Sequence, residues 1–218
     1  MSGDHNDPFI VIGAGSHAKV LISALLRQKR QILGLLDADA AKHGIDILGQ
    51  PVKGGDEWLA KAGWEAAALI NGIGSVGLPV VRQRVFDRLS GLGRAFASCI
   101  DGAAFVSPEA VLADGVQVMA GAVVQAGARL GRNVIVNSGA VIDHDCDIGD
   151  HCHIAPGAVL SGEVRVGPGS HIGTGATVIQ SIVIGGGCLV AAGATLVRNL
   201  DDGERVAGVP ARRFGDAG

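Results

Sequence analysis

The sequence predicts two units: a small parallel α/β sheet in residues 1–95, then a repeat-built parallel β-coil in residues 105–218. Three observations carry this. Aliphatic residues recur at every sixth position from Val106 to Leu196, sixteen times without an insertion. The chain holds 35 glycines, many of them in one phase of that same hexad. Aromatic residues make up only 3% and tyrosine is absent, so the core has to be narrow and aliphatic. Hydrophobic residues at 48% and charged residues at 18% describe a globular chain, not a disordered one.

The elements follow in order. The opening stretch MSGDHNDPFIVIGAG is too acidic, and its apolar run too short, for a signal peptide; no segment is long enough to span a bilayer. FIVIGAGSHAKVLISALLRQ reads as a buried strand, a glycine turn and an amphipathic helix. QILGLLDAD, residues 31–39, is a second strand ending in acids, and WEAAALINGIG, residues 64–74, is a third. A helix in PVVRQRVFDRLSGLG follows. We read this as a β-α-β-α-β unit, half of a Rossmann fold. The boundary falls in Ala95–Ala104.

Beyond it, each aliphatic of the hexad is followed four residues later by a small or aliphatic side chain, such as Ala122, Ala140, Cys146, Cys152 and Ala158. Gly115, Gly121, Gly127 and later glycines to Gly193 share the phase where a corner demands φ > 0. Asn133, Asp145 and Asn199 fall in that phase too, and Asn and Asp tolerate it next best. The pattern resembles the hexapeptide repeat of left-handed parallel β-helices. That likeness implies a triangular prism with one hexad per side, three per coil, and residues 18 apart stacked at roughly 4.8 Å.

Charge and cysteine usage narrow the function classes. A net charge of −3 gives no reason to expect nucleic acid or an anionic membrane as partner. The four cysteines show no CxxC pair and no dense framework, which fits a reducing cytoplasm.

Two stretches could carry chemistry. Gly13-Ala14-Gly15-Ser16-His17-Ala18 matches the dinucleotide fingerprint with alanine at its third position, and Asp37 stands about where a ribose-binding acid would. A dehydrogenase is therefore a rival reading, weakened because the unit has room for only one mononucleotide-binding half. A glycine turn at a helix N-terminus binds phosphate in general, so a sugar nucleotide suits it equally, and a plain turn without ligand stays open.

The second stretch is VIDHDCDIGDHCHIAPG, residues 141–157. Cys146 and Cys152 occupy the inward phase and are core, not nucleophiles or ligands. His153 and His171, 18 apart, stack on one side. His144 and His153, 9 apart, belong on different sides, so a site using both draws one from an adjacent subunit. This scatter disfavours a metal, and the ligand spacing of a γ-carbonic-anhydrase-like enzyme is not reproduced. A neutral His144 oriented by Asp145 can accept a proton.

The N-terminal GAGSHAKV, the stretch IDHDCDIGDHCHIAPGAVLSGEVRVG and the C-terminal GVPAR together resemble one family from Phe9 to Phe214. It is the family of bacterial hexapeptide-repeat sugar acetyltransferases. The family includes sialic acid O-acetyltransferases and the N-acetyltransferases of UDP- or GDP-linked 4-amino sugars such as GDP-perosamine. The resemblance implies an acetyl-CoA-dependent transfer to a nucleotide-linked 4-amino-4,6-dideoxy sugar for surface glycans, in a cytoplasmic homotrimer with active sites between subunits and no metal. It implies His144 as general base with Asp145 beside it, and His153, Gly162, Gly173 and Ala191 at acetyl-CoA. It further implies Gly13, Gly15, His17, Lys19 and Asp37 at the nucleotide sugar. One departure is the loop IGSVGLPVVRQ, longer than the family's usual turn, which leaves Arg82 without an assigned role. Sugar O-acetylation and a non-catalytic β-helix or dinucleotide-binding module are the other readings.

Overall fold

The computed structural model describes residues 8–61, 63–64 and 67–214. The first seven residues, part of the stretch read against a signal peptide, lie outside them, as do 65 and 66 of the expected third strand and the C-terminal four.

The first unit is a five-stranded sheet. Strands β1 (Phe9–Ile12), β2 (Ile32–Leu36), β3 (Asp46–Ile47), β4 (Gln50–Gly54) and β5 (Ala68–Asn71) lie in the order β3-β4-β2-β1-β5. All neighbours are parallel except the β3–β4 hairpin. β1 is an interior strand, flanked by β2 and β5, which explains its unbroken apolar run. Its residues divide by parity. Phe9 and Val11 pack with helix α1 (Ser16–Arg27) through Ala18, Leu21, Ile22 and Leu25. Ile10 and Ile12 pack on the other side with helix α2 (Val80–Gly91) through Phe86 and Leu89. On that second side Trp58 and Trp64 meet with ring centroids 5.3 Å apart.

The expected β-α-β-α-β order is corrected here. Among the described residues no α-helix joins β2 to β5; the β3–β4 hairpin and two short 3-10 turns, Ala40–Lys42 and Asp56–Ala60, occupy that span. Short apolar stretches there, such as Ile45–Leu48, lack both helical periodicity and length.

The chain passes from one unit to the next inside the segment Ala95–Ala104. Phe96 already bridges to Leu69 of β5, and strand β6 (Cys99–Ile100) pairs with Gln117–Val118 as the first rung of a β-helix. The coil thus begins before residue 105.

From there, two-residue parallel strands stack in three sheets, with each partner 18 residues on until the last coil, where Leu189 pairs with Arg205 only 16 residues on. The second residue of each strand points inward, and so does the small residue four places later. Together they form one aliphatic column that includes Cys146, Cys152 and Cys188. Every sixth residue from Gly115 to Gly193 has a left-handed φ, including His151 (62°), Glu163 (63°) and Ser181 (60°), which sequence reading did not place there. Asn199 is the exception: its side chain accepts the N–H of Val183 at 2.9 Å instead, and the next left-handed residue is Gly203. No helix among the described residues is long and apolar enough to cross a membrane.

Glycines serve this coil in two ways, and substitution separates them. A Cβ on Gly175 (φ +65°) meets nothing within 4 Å, so Gly175→Ala is expected to cost only the left-handed strain, about 1–2 kcal/mol. A Cβ on Gly167 runs into the backbone N of Gly186 in the next coil. Gly167→Ala should therefore lower the urea midpoint clearly more than Gly175→Ala.

Candidate active site

The three outer faces of the β-helix differ. One displays Val111, Arg129, Asp147, Arg165 and Val183. A second displays Phe105, Val123, Val141, Val159, Thr177 and Thr195. The third carries Cys99, Gln117, Ile135, His153 and His171, all buried, because the first unit lies over it.

Polar side chains join the two units. Arg82 is fully buried on α2; it donates from Nη1 to the carbonyls of Asn71 and Ile73 at 2.8 Å, and from Nε to that of Asn133 at 3.3 Å. Burial pushes its pKa down to about 9. Its hydrogen bonds go to carbonyls, which gives Arg82 the role the sequence left open: it ties the segment after β5 to the β-helix. Gln117 donates to the carbonyl of Asn71 at 2.7 Å, which turns its Oε1 towards His17 Nε2, also at 2.7 Å. His17 is therefore held as the neutral Nε2–H tautomer. Burial and then the charge of Arg82 lower its pKa to about 4 against the opposing bond from Gln117.

A cavity of about 610 Å³ opens along this junction. The glycine turn lines one end, with Gly13 (φ +93°) and Gly15 before the N-terminus of α1. Asp37 lies there too; its carboxylate accepts the N–H of Ala14 at 2.7 Å, the N–H of Asp39 at 2.9 Å and Lys42 Nζ at 3.0 Å. Burial alone would raise Asp37, but these three donors outweigh it and hold the carboxyl below its usual range. Gly72–Val76, which runs against Gly13 and His17, lines the cavity too, together with Asn137, Ser138, His153 and Pro156 of the β-helix.

Most predicted residues of the first stretch meet in this cavity: Gly13, Gly15, His17 and Asp37 line it. Lys19 does not. It is exposed on α1, and Lys42 is the lysine that reaches the cavity. Lys42 sits after a strand in a turn of no distinctive sequence, so nothing singled it out in advance. Gln117 was missed for a related reason: outward positions of a hexad carry any residue type, and only the covering unit buries this one; Asn71 ends β5, and Asn133 was read only as a corner residue.

The second stretch divides. Cys146 and Cys152 face inward, as expected, with burial raising their thiols to about 11 and about 12. Among the described residues no group of three or more His, Cys, Asp or Glu could hold a metal. His153 lines the cavity and meets His171 edge-on at 4.9 Å. Its ring nitrogens lie 2.7 Å from Ser75 Oγ and 3.1 Å from Asn137 Nδ2. Both nitrogens thus have partners within the chain. Gly173 and Ala191 donate their N–H groups to Val190 and Val206 in the next coil, both at 2.8 Å, so neither amide is free for a cofactor.

His144 stands outside the cavity, at the corner after Val141–Ile142, with 57% of its side chain exposed. Its Nδ1 lies 2.9 Å from Asp145 Oδ2, and Asp145 is held at a left-handed corner (φ 57°). An Nδ1–H given to this carboxylate leaves Nε2 as the lone-pair nitrogen, pointing at solvent. The bond to Asp145, with the nearby acids, raises the His144 pKa. The ring rests over Gly162, where a Cβ would come within 2.5 Å of Cε1 and Nε2.

Residues 8–89 match the family described as PglD N-terminal domain, and 109–144 and 128–162 match bacterial transferase hexapeptide (six repeats). Among solved structures the chain is similar to a mutant perosamine N-acetyltransferase from Caulobacter crescentus in complex with CoA and GDP-perosamine. The two are 36% identical over 96% of this chain and 97% of that one, with a TM-score of 0.88. It is also similar to the acetyltransferase domain of PglB from Neisseria gonorrhoeae FA1090 in complex with acetyl coenzyme A: 37% identity, 96% of this chain, 100% of that one, TM-score 0.87. WeeI from Acinetobacter baumannii AYE shares the fold at 24% identity, with 96% and 100% covered and a TM-score of 0.80. No curated protein sequence matches.

Gly162→Ala tests the seat of His144. The methyl displaces an exposed ring, not the backbone, so thermal stability should stay within a few degrees while turnover falls. An unchanged kcat would show that the ring position is immaterial.

Proposed function

The chain belongs to the bacterial hexapeptide transferases that carry a PglD-type N-terminal domain, and on that footing we propose that it moves the acetyl group of acetyl-CoA onto a nucleotide-linked sugar. The acceptor is the amino group of a 4-amino-4,6-dideoxy sugar, as in GDP-perosamine or a UDP-linked counterpart. The observation that carries this is the cavity itself: its lining combines a glycine turn and helix N-terminus that suit phosphates with side chains of the β-helix that suit a hexose. A free sialic acid would leave the phosphate end without a partner.

His144 supplies the base. As the amine attacks the thioester carbonyl, Nε2 takes its proton and Asp145 steadies the imidazolium that forms. Negative charge gathers on the carbonyl oxygen, where the amide of Gly162, which packs against the His144 ring, would donate. The thiolate of CoA then leaves and collects a proton. The cysteines are buried with raised pKa values, so transfer is direct and needs no acyl-enzyme.

His144 and the cavity do not meet within one protomer, and assembly supplies the reason. Of the three outer faces, only the one bearing Phe105, Val123, Val141 and Val159 is both apolar and uncovered; Phe105 is 52% exposed. Three prisms packed through this face would set His144, at its rim, against a neighbouring copy. The enzyme would thus be a homotrimer working in the cytoplasm, where acetyl-CoA is made and buried free thiols persist.

Thiol release from acetyl-CoA, measured against GDP-, UDP- and dTDP-linked 4-amino sugars with free sialic acid as control, tests the reading. His144→Ala should lower kcat by about 10²–10⁴-fold while acetyl-CoA still binds. The base must be neutral, so kcat/KM should fall as pH drops through the His144 pKa. Asp145→Asn removes what raises that pKa and should move this acid limb to lower pH, on a lower plateau. For the assembly, Val141→Glu is expected to give monomers in sedimentation velocity and to abolish transfer.

A further inference from the structure

Where the β-helix lines the cavity three side chains are bonded in series: Asn137, His153 and Ser75. The direction of their hydrogen bonds is fixed. Asn137 Oδ1 accepts the N–H of Ser138 at 2.8 Å, which leaves Nδ2 facing His153. Nδ2 can only donate, so Nε2 of His153, 3.1 Å away, is the unprotonated nitrogen. A neutral imidazole carries one N–H, which therefore sits on Nδ1, 2.7 Å from Ser75 Oγ. The surroundings keep the ring neutral. It is 5% exposed, and burial, then His171, His17 and Arg82, lower its pKa to about 3. A hydroxyl that accepts from an imidazole N–H sends its own proton elsewhere. Among the described residues the Ser75 side chain has no second hydrogen bond, and it borders the cavity.

We propose that Ser75 binds substrate by donating a hydrogen bond to a hexose oxygen of the nucleotide sugar, with Asn137 and His153 as positioning residues that hold its hydroxyl in the donor sense. This rests on reading the cavity as the nucleotide-sugar site. Asp37, Lys42 and the N-terminus of α1 take the nucleoside and phosphate end, so the hexose falls beside Ser75, Asn137 and Ser138. A fixed donor there favours an acceptor oxygen at that place. The sugar is thereby oriented with its reacting amine turned away from Ser75, towards the rim from which a neighbouring His144 approaches.

The test combines spectroscopy with kinetics on the full chain. Nitrogen-15 shifts of the histidine rings in the unliganded protein should show His153 as the Nδ1–H tautomer; an Nε2–H tautomer overturns the proposal. Ser75→Ala should raise KM for the nucleotide sugar roughly tenfold and leave KM for acetyl-CoA unchanged. Asn137→Asp places a carboxylate opposite Nε2, draws the proton there and turns Nδ1 into an acceptor that captures the Ser75 hydroxyl. It should therefore raise the same KM to the same degree, with no further rise in the double variant; additive effects overturn the proposal. Wild-type protein inert towards every nucleotide-linked amino sugar defeats the functional reading and the proposal together. Active wild-type protein with an unchanged KM in Ser75→Ala defeats the proposal alone.

Discussion

The cavity depends on a buried seam of amides gathered round one guanidinium. Backbone groups set its direction from the start. The N–H of Ile73 donates to Asn71 Oδ1, so Asn71 Nδ2 donates to Asn133 Oδ1. Asn133 Nδ2 in turn donates to His151 Nδ1, and the far nitrogen of that ring lies 3.4 Å from Asp87. Arg82 crosses this line with three bonds to carbonyls. Taking such groups out of water is costly unless nearly all are paired, and here the pairing is what fixes one unit on the other. An apolar contact of equal area would hold the units together without specifying their register.

The same seam sorts the histidines by environment. Burial pushes His17, His151 and His153 towards the neutral form, for His151 against the pull of Asp87 and Asp150. His144, exposed and held by a carboxylate, is pushed the other way. One residue type therefore supplies fixed hydrogen-bonding parts inside and a titrating group at the rim.

Much of the β-helix was legible because its constraint is periodic. Each inward position from Val106 to Leu196 must be aliphatic, and each corner favours glycine, so the six-residue rule shows in the letters themselves. Exceptions to the rule were harder to read. His151, Glu163 and Ser181 accept a strained corner, and Asn199 refuses one because its side chain caps Val183 instead. In the first unit the glycine turn and Asp37 were readable, since they stand at the spacing of a known fingerprint. Lys42, Ser75 and Gln117 were not, because their roles come from neighbours 5, 78 and 100 residues away. The β3–β4 hairpin was missed for want of length: a two-residue strand has no period to detect.

The pairing of Trp58 with Trp64 has a consequence for anyone handling the protein. Both indoles of the chain lie in the first unit, and from Cys99 onward there is neither tryptophan nor tyrosine. Intrinsic emission therefore reports the sheet alone, while the parallel rungs dominate the far-ultraviolet dichroism. The chain carries a built-in optical label on one half, so loosening of the sheet can be watched separately from unwinding of the coil, without attaching a dye.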